Sequence, residues 1–183
     1  MTIKLPLSIK ILDPRLLDWG IPGLATPGAS ACDLRACALY DTLPDGGVDL
    51  KSRREMTESI VLRQDCQQYI GCGFAMAAHD AGYVALLHAR SGLGSRGLVL
   101  GNLTGVIDIG DYRGEMIAAV WNRTPGVDET TSTMVPSQQF TIEPGDRICQ
   151  MILVAAPTPD WTVVDELPPS LRGNGGFGST GRA

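Results

Sequence analysis

Apolar residues along this chain alternate with polar ones or gather in short runs, and almost none recur at the helical spacing of three and four. Residues 3–11 show this most plainly: Ile3, Leu5, Leu7, Ile9 and Ile11 fall on one side of an extended segment, and Pro6 places that segment at a sheet edge. Further strand-like stretches occur at 29–38, 59–62, 69–77, 83–87, 102–107, 116–121, 140–142 and 148–155. Turn chemistry separates them, as at Gln64-Asp65, His79-Asp80-Ala81-Gly82 and Glu143-Pro144-Gly145-Asp146. The 22 glycines and 12 prolines in 183 residues supply such turns. Many short strands at this spacing predict one all-β domain, a sandwich or barrel. The polar stretches 41–58 and 124–138 read as insertions, the first mobile at its tip.

A net charge of −5 disfavours nucleic-acid binding, which needs a basic surface that releases counterions. It leaves room for a polyphosphate, which needs only a local group of arginines. The cysteines are Cys32, Cys37, Cys66, Cys72 and Cys149, an odd number without a CxxC, and the histidines are His79 and His88. That set predicts neither a zinc site nor a disulfide framework, but reduced cysteines in a cytoplasmic protein. No apolar run is long enough to span a membrane, and the N-terminus has no apolar secretory core.

Polar chemistry concentrates in a few segments. Residues 102–114, NLTGVIDIGDYRG, read as a hairpin whose tip carries Asp108, Asp111 and Tyr112. One carboxylate to activate a water, beside a ring to pack on a flat or cyclic substrate, suits this composition; so does a plain surface turn. In 29–38, Asp33 and Arg35 alternate and share a face, where they can simply pair. In 89–98, Arg90 and Arg96 flank Ser91, Gly92 and Gly94, either an anion nest or a helical turn capped by Ser91. Arg147 and Gln150 fall on one strand face and need partners if buried. The C-terminal RGNGGFGSTGRA, from Arg172, has no apolar partner for a core and lacks the lysine of a P-loop. It reads as a flexible tail, or as a lid whose Phe177 stacks on a base.

Taken in order, residues 29–36, 90–94, 102–114, 145–150 and 172–181 resemble the five motifs of the homotrimeric dUTPase family, which hydrolyses dUTP to dUMP and pyrophosphate. The resemblance implies an all-β, distorted jelly-roll (β-clip) subunit over 1–168 and a flexible nucleotide-binding arm over 169–183. It implies a homotrimer with sites at subunit contacts, Mg²⁺ held through the triphosphate rather than by protein ligands, and a role in limiting uracil in DNA while supplying dUMP. By position, Asp108 resembles the carboxylate that activates the attacking water. Tyr112 resembles the ring that packs on deoxyribose, and Asn102, Val106 and Ile107 the groups that read uracil, with Ile117 close by. Arg90, Ser91, Gly92 and Gln150 resemble the phosphate cradle, with Arg147 supporting its end. Asp33 and Asp111 resemble supporting carboxylates, and Arg172, Phe177, Gly178, Ser179 and Thr180 the closing arm.

Three features depart from the family pattern, one of them the pair of insertions near 41–58 and 124–138. Asp108 and Tyr112 are four apart where three is usual, which predicts a bulge at the hairpin tip, and Ala89 stands where proline is usual. A dCTP deaminase of related fold is one alternative, but the position of its glutamate is Ala119 here, with Glu115 beside the turn instead. A dUTP-sensing protein that docks a partner through the insertions is another.

Overall fold

The structure, a computed structural model, describes residues 4–80, 82–124, 127–128, 133–134, 138–171 and 173–174. In chain order the elements are β1 (Leu7–Ile11), α1 (Leu16–Trp19), β2 (Cys32–Arg35), β3 (Ala38–Tyr40), β4 (Arg54–Glu55), β5 (Ile60–Leu62), β6 (Gln67–Gly71), β7 (Phe74–Ala78) and β8 (Tyr83–Ala89). Then come α2 (Ser91–Gly94), β9 (Leu98–Leu100), β10 (Gly105–Ile107), β11 (Ile117–Asn122), β12 (Val127–Asp128), β13 (Thr133–Met134), β14 (Phe140–Ile142) and β15 (Arg147–Ala155). One sheet has the order β4-β3-β6-β11-β9 and a second β10-β8-β15-β2, while β1-β7, β14-β5 and β12-β13 form pairs. Both larger sheets feed a single core: Leu34, Leu87 and Met151 from one meet Ile70, Val120 and Leu100 from the other, with Phe74, Ile109 and Met116 between. This is the all-β sandwich that the short alternating runs predict.

Three expected continuous elements are broken, each by corner chemistry. The stretch 69–77 splits at Gly73, whose φ of 78° is in the left-handed region. Gly73 O there accepts both Leu12 N (2.8 Å) and Asp13 N (3.0 Å). The stretch 29–38 splits at Ala36, whose N–H donates to Asp146 O and whose carbonyl accepts Gly145 N. Residues 102–121 do not form a hairpin: β10 pairs with β8, whereas β11 pairs with β6 and β9 in the other sheet. The segment is a corner that passes between sheets.

The segment 41–58 is also more than a polar insertion. It turns tightly (Leu43 N to Gly47 O, 2.7 Å; Asp49 N to Asp41 O, 2.9 Å) and returns to pair β4 with β3. It buries Met56 in the core and sends Arg53 inward. Within 124–138, β12 and β13 pair antiparallel. From Leu153 to Leu171 the chain is exposed throughout, including Trp161, Val163 and Leu167.

Candidate active site

β15 runs between β2 and β8, so that Gln150 stands opposite both Asp33 and His88. Arg147 and Gln150 are three apart and would point to opposite faces of a regular strand. An irregularity between Arg147 and Cys149 inserts one residue, placing Arg147 opposite Arg35 and Gln150 opposite Asp33. Because Asp33 and Arg35 share a face, all four polar residues reach the same side. Asp33 then serves two arginines: Oδ1 accepts Arg90 Nε at 2.8 Å, and Oδ2 accepts Arg147 Nη1 at 3.4 Å. Arg90 Nη1 donates to Arg147 O at 3.0 Å, and Gln150 Nε2 to Ala89 O at 3.1 Å.

α2 follows Arg90 at once and presents Ser91 and Gly92 exposed. Arg90, in extended conformation, occupies the cap position, so Ser91 opens the turn rather than capping it. Beside this end lies a cleft of about 610 Å³ lined by Arg35, Arg90, Arg96 and Arg147 over Leu98 and Phe140. Arg35 Nη1 donates to Gly145 O at 2.8 Å, and the Arg96 guanidinium lies 5.3 Å from the Phe140 ring centroid. Sequence reasoning placed Arg96 beside the candidate anion nest but gave Arg35 no place in the site. The alternation of Arg35 with Asp33 was the available signal, but it fitted a simple surface pair equally well.

Asn102, Val106, Ile107, Asp108 and Tyr112 gather elsewhere. Gly105 lets β10 approach β8 closely, since a Cβ there would stand 3.2 Å from Leu87 Cβ. Leu103, held at φ 61°, makes a tight turn that leaves Asn102 exposed, and Val106 is 63% exposed. Asp108 follows β10 directly. Its carbonyl accepts Asp111 N at 2.9 Å and Tyr112 N at 2.7 Å, so the residue added to the family spacing closes a turn rather than bulging a hairpin. Ile109 plugs that turn into the core, fully buried, and its carbonyl accepts Ala78 N. Among the described residues the carboxylates of Asp108 and Asp111 have no ion-pair partner. Tyr112 is half-buried and donates its hydroxyl to Glu115 O at 2.9 Å. Burial, then the Glu115 charge, raises its phenol above the usual value. Ile117 opens β11, half-buried, opposite Gly71.

The two groups do not meet within one chain. Ile107 pairs with Ala85, and Asp108 continues past that end of the ladder. Arg90 lies five residues along β8 in the other direction, about 17 Å of extended strand. Arg172, Phe177, Gly178, Ser179 and Thr180 lie outside the described residues. Cys37, Cys72 and Cys149 are buried, and burial, reinforced by Asp13, pushes the Cys37 thiol up to about 12, away from an activated nucleophile. Among the described residues no three His, Cys, Asp or Glu side chains group as metal ligands, and no helix is long and apolar enough to cross a membrane.

A family model described as dUTPase matches residues 36–181. The chain is 37% identical to a deoxyuridine 5'-triphosphate nucleotidohydrolase of Acinetobacter baumannii over 177 residues, 96% of this chain and 97% of that protein. It is 37% identical to the protein of the same name from Bordetella avium, with the same coverage. Among solved structures, the dUTPase of Staphylococcus bacteriophage 80alpha with dUPNHPP matches with a TM-score of 0.69 at 25% identity, covering 97% of this chain and 99% of that one. A mutant dUTPase from phage phi11 of S. aureus, described as coordinating a structural Mg(II) ion, matches at a TM-score of 0.62 and 22% identity, over 90% and 99%.

Proposed function

This chain belongs to the dUTPase family, and from that premise we propose that it hydrolyses dUTP to dUMP and pyrophosphate at sites shared between copies of itself. The observation that carries the reading is the division of labour along β8. Four arginines ring a cleft at one end, while the exposed Asp108 adjoins an exposed strand edge and a tethered tyrosine at the other.

Asp108 takes the proton of a water that attacks the α-phosphorus in line, and the bond to the bridging oxygen breaks to release pyrophosphate. Arg90, Arg147, Gln150, Ser91 and Gly92 hold the phosphates, with Arg35 and Arg96 adding positive charge to the same cleft. Asp33 acts by orienting Arg90 and Arg147. Asn102 with the Val106–Ile107 strand edge reads the base, Tyr112 packs on the sugar beside Ile117, and Asp111 supports the turn. The closing arm of Arg172, Phe177, Gly178, Ser179 and Thr180 completes the site.

The residues fit Mg²⁺ as an ion carried by the triphosphate. The Asp33 oxygens are committed to arginines, as suits a metal bound largely through phosphate oxygens. When bound, the ion neutralises charge on those oxygens.

The same geometry supports an assembly of more than one copy, and the homotrimer is the form proposed for it. A site that needs both Asp108 and Arg90 must take one from each of two copies. The exposed run 156–171, with Trp161 at 84%, Val163 at 97% and Leu167 at 84%, offers apolar surface for a neighbour to cover. The deaminase alternative loses its glutamate: Ala119 occupies that position, and Glu115 is buried and committed to other partners.

The test is product formation from dUTP, dCTP, dTTP and UTP with Mg²⁺. Pyrophosphate from dUTP is expected, with turnover falling about 10²–10⁴-fold in Asp108→Asn while dUTP still binds. Ammonia from dCTP would overturn the reading. Near-normal turnover in Asp108→Asn, with loss in Asp111→Asn, would move the base to Asp111.

A further inference from the structure

Glu115 is buried, 6% exposed, two residues before β11. Its Oε2 accepts the Tyr40 hydroxyl at 2.5 Å and Arg53 Nε at 2.6 Å, and its Oε1 accepts Gly73 N at 2.7 Å. Its own backbone carbonyl accepts the Tyr112 hydroxyl at 2.9 Å. One residue therefore ties the Tyr112 ring to β3, to the 41–58 segment and to the β6–β7 corner. Space has been cleared for it: a Cβ on Gly71 would stand 2.5 Å from Glu115 Oε1 and 3.0 Å from a Tyr40 ring carbon.

A well-packed apolar side chain at 115 would fill the same space without burying a charge. Arg53 even leaves its buried Nη2 without a hydrogen-bond partner among the described residues while serving this carboxylate. Burial and the Glu115 charge push the Tyr40 phenol well above its usual range, so it remains a donor. What such a cluster adds over apolar packing is a single fixed geometry. The groups facing Glu115 are Tyr40 from β3, Arg53 from 41–58, Gly73 from the corner and Tyr112 from its own turn.

We propose that Glu115, clamped by Tyr40 and Arg53, is a positioning residue that sets the Tyr112 ring and thereby the discrimination of deoxyribose from ribose, with 41–58 supplying the arginine. The inference rests on the reading of Tyr112 as the ring against the sugar.

The experiment compares kcat/KM for dUTP and UTP, with Tm, in the full-length protein and in Tyr112→Ala, Glu115→Gln, Arg53→Lys and Tyr40→Phe. Tyr112→Ala should collapse the dUTP/UTP ratio. Glu115→Gln should lower it about 10-fold, with the loss for dUTP expressed mainly in KM. Tyr40→Phe should lower the ratio less, and Arg53→Lys, which keeps the charge, should retain most of it. Should Glu115→Gln fail to fold, Tyr40→Phe removes one bond from the carboxylate and reads the same ratio. Ratios within twofold of wild type in the Glu115 and Tyr40 variants, with only Tm lowered, would reduce the cluster to a structural role and overturn the proposal. An unchanged ratio in Tyr112→Ala would instead bring down the Tyr112 reading, a distinct signature.

Discussion

Asp13 is a buried carboxylate, 1% exposed, whose side-chain hydrogen bonds all come from one neighbour. Arg15 donates to it from its backbone N–H at 3.0 Å, from Nε at 2.9 Å and from Nη2 at 2.5 Å. The same guanidinium reaches Met56 O (2.8 Å) and Cys37 O (2.9 Å) and lies over the Trp19 ring, so the pair pins the entry segment to the core. The Arg15 hydrogen bonds hold the Asp13 carboxyl below its usual value against the opposing effect of burial. A folded value below the unfolded one means that the unfolded chain binds more protons between the two. Stability from this group is thus complete above about pH 4 and is lost as pH falls through the folded value. Asp13→Asn should cost about 3 kcal/mol at pH 7, since Arg15 is left with a neutral partner. The gap from wild type should narrow below pH 4, measured as urea midpoints from pH 3 to 7. A gap constant over that range would show that acid sensitivity resides elsewhere.

The β6–β7 corner shows what a single backbone position can demand of two strands. At Gly73 a Cβ would meet Cys37 Sγ at 2.7 Å and Asp13 Cβ at 2.9 Å, in addition to the strain of φ 78°. Gly73→Ala should therefore cost roughly 2–5 kcal/mol, combining left-handed strain with overpacking, read from the denaturant midpoint. A cost under about 1 kcal/mol would mean that the corner relaxes freely. This corner also marks the boundary of what the sequence makes legible. Alternation announces strands, so β1, β8, β14 and β15 emerge near their observed places. Alternation is silent on which sheet a strand joins, so 69–77 reads as one strand and 102–121 as one hairpin, when each passes between sheets. The phosphate-end residues were readable as arginines at strand ends. Their convergence on Asp33 was not, because it depends on an irregularity at Ile148 and on β15 lying between β2 and β8. Arg53 and Glu115 were invisible for a related reason: they are 62 residues apart, and a charge in a polar stretch gives no sign that it points inward.

The separation of Asp108 from Arg90 along β8 has a consequence that only an assembly can display. If each site takes its base from one copy and its phosphate cradle from another, a defect in either half disables a homogeneous protein, but the two defects complement when mixed. Asp108→Asn and Arg90→Ala should each be nearly inactive alone. Arg90→Ala also loses the Asp33 contact at 2.8 Å, but this half-buried carboxylate keeps Arg147 beside it at 3.4 Å, so the variant should still fold and assemble. After joint unfolding and refolding at equal amounts, a working site needs an intact Asp108 on one copy and an intact Arg90 on its neighbour. For random assembly that condition holds at about a quarter of sites, so the mixture should regain about a quarter of wild-type turnover. Mixing without unfolding should recover activity only as fast as subunits exchange. If the refolded mixture stays as inactive as its components while its mass shows mixed assemblies, both halves must come from the same chain. The chain would then have to bring Asp108 and Arg90 together by a rearrangement of β8 and β10, the strands that hold them apart.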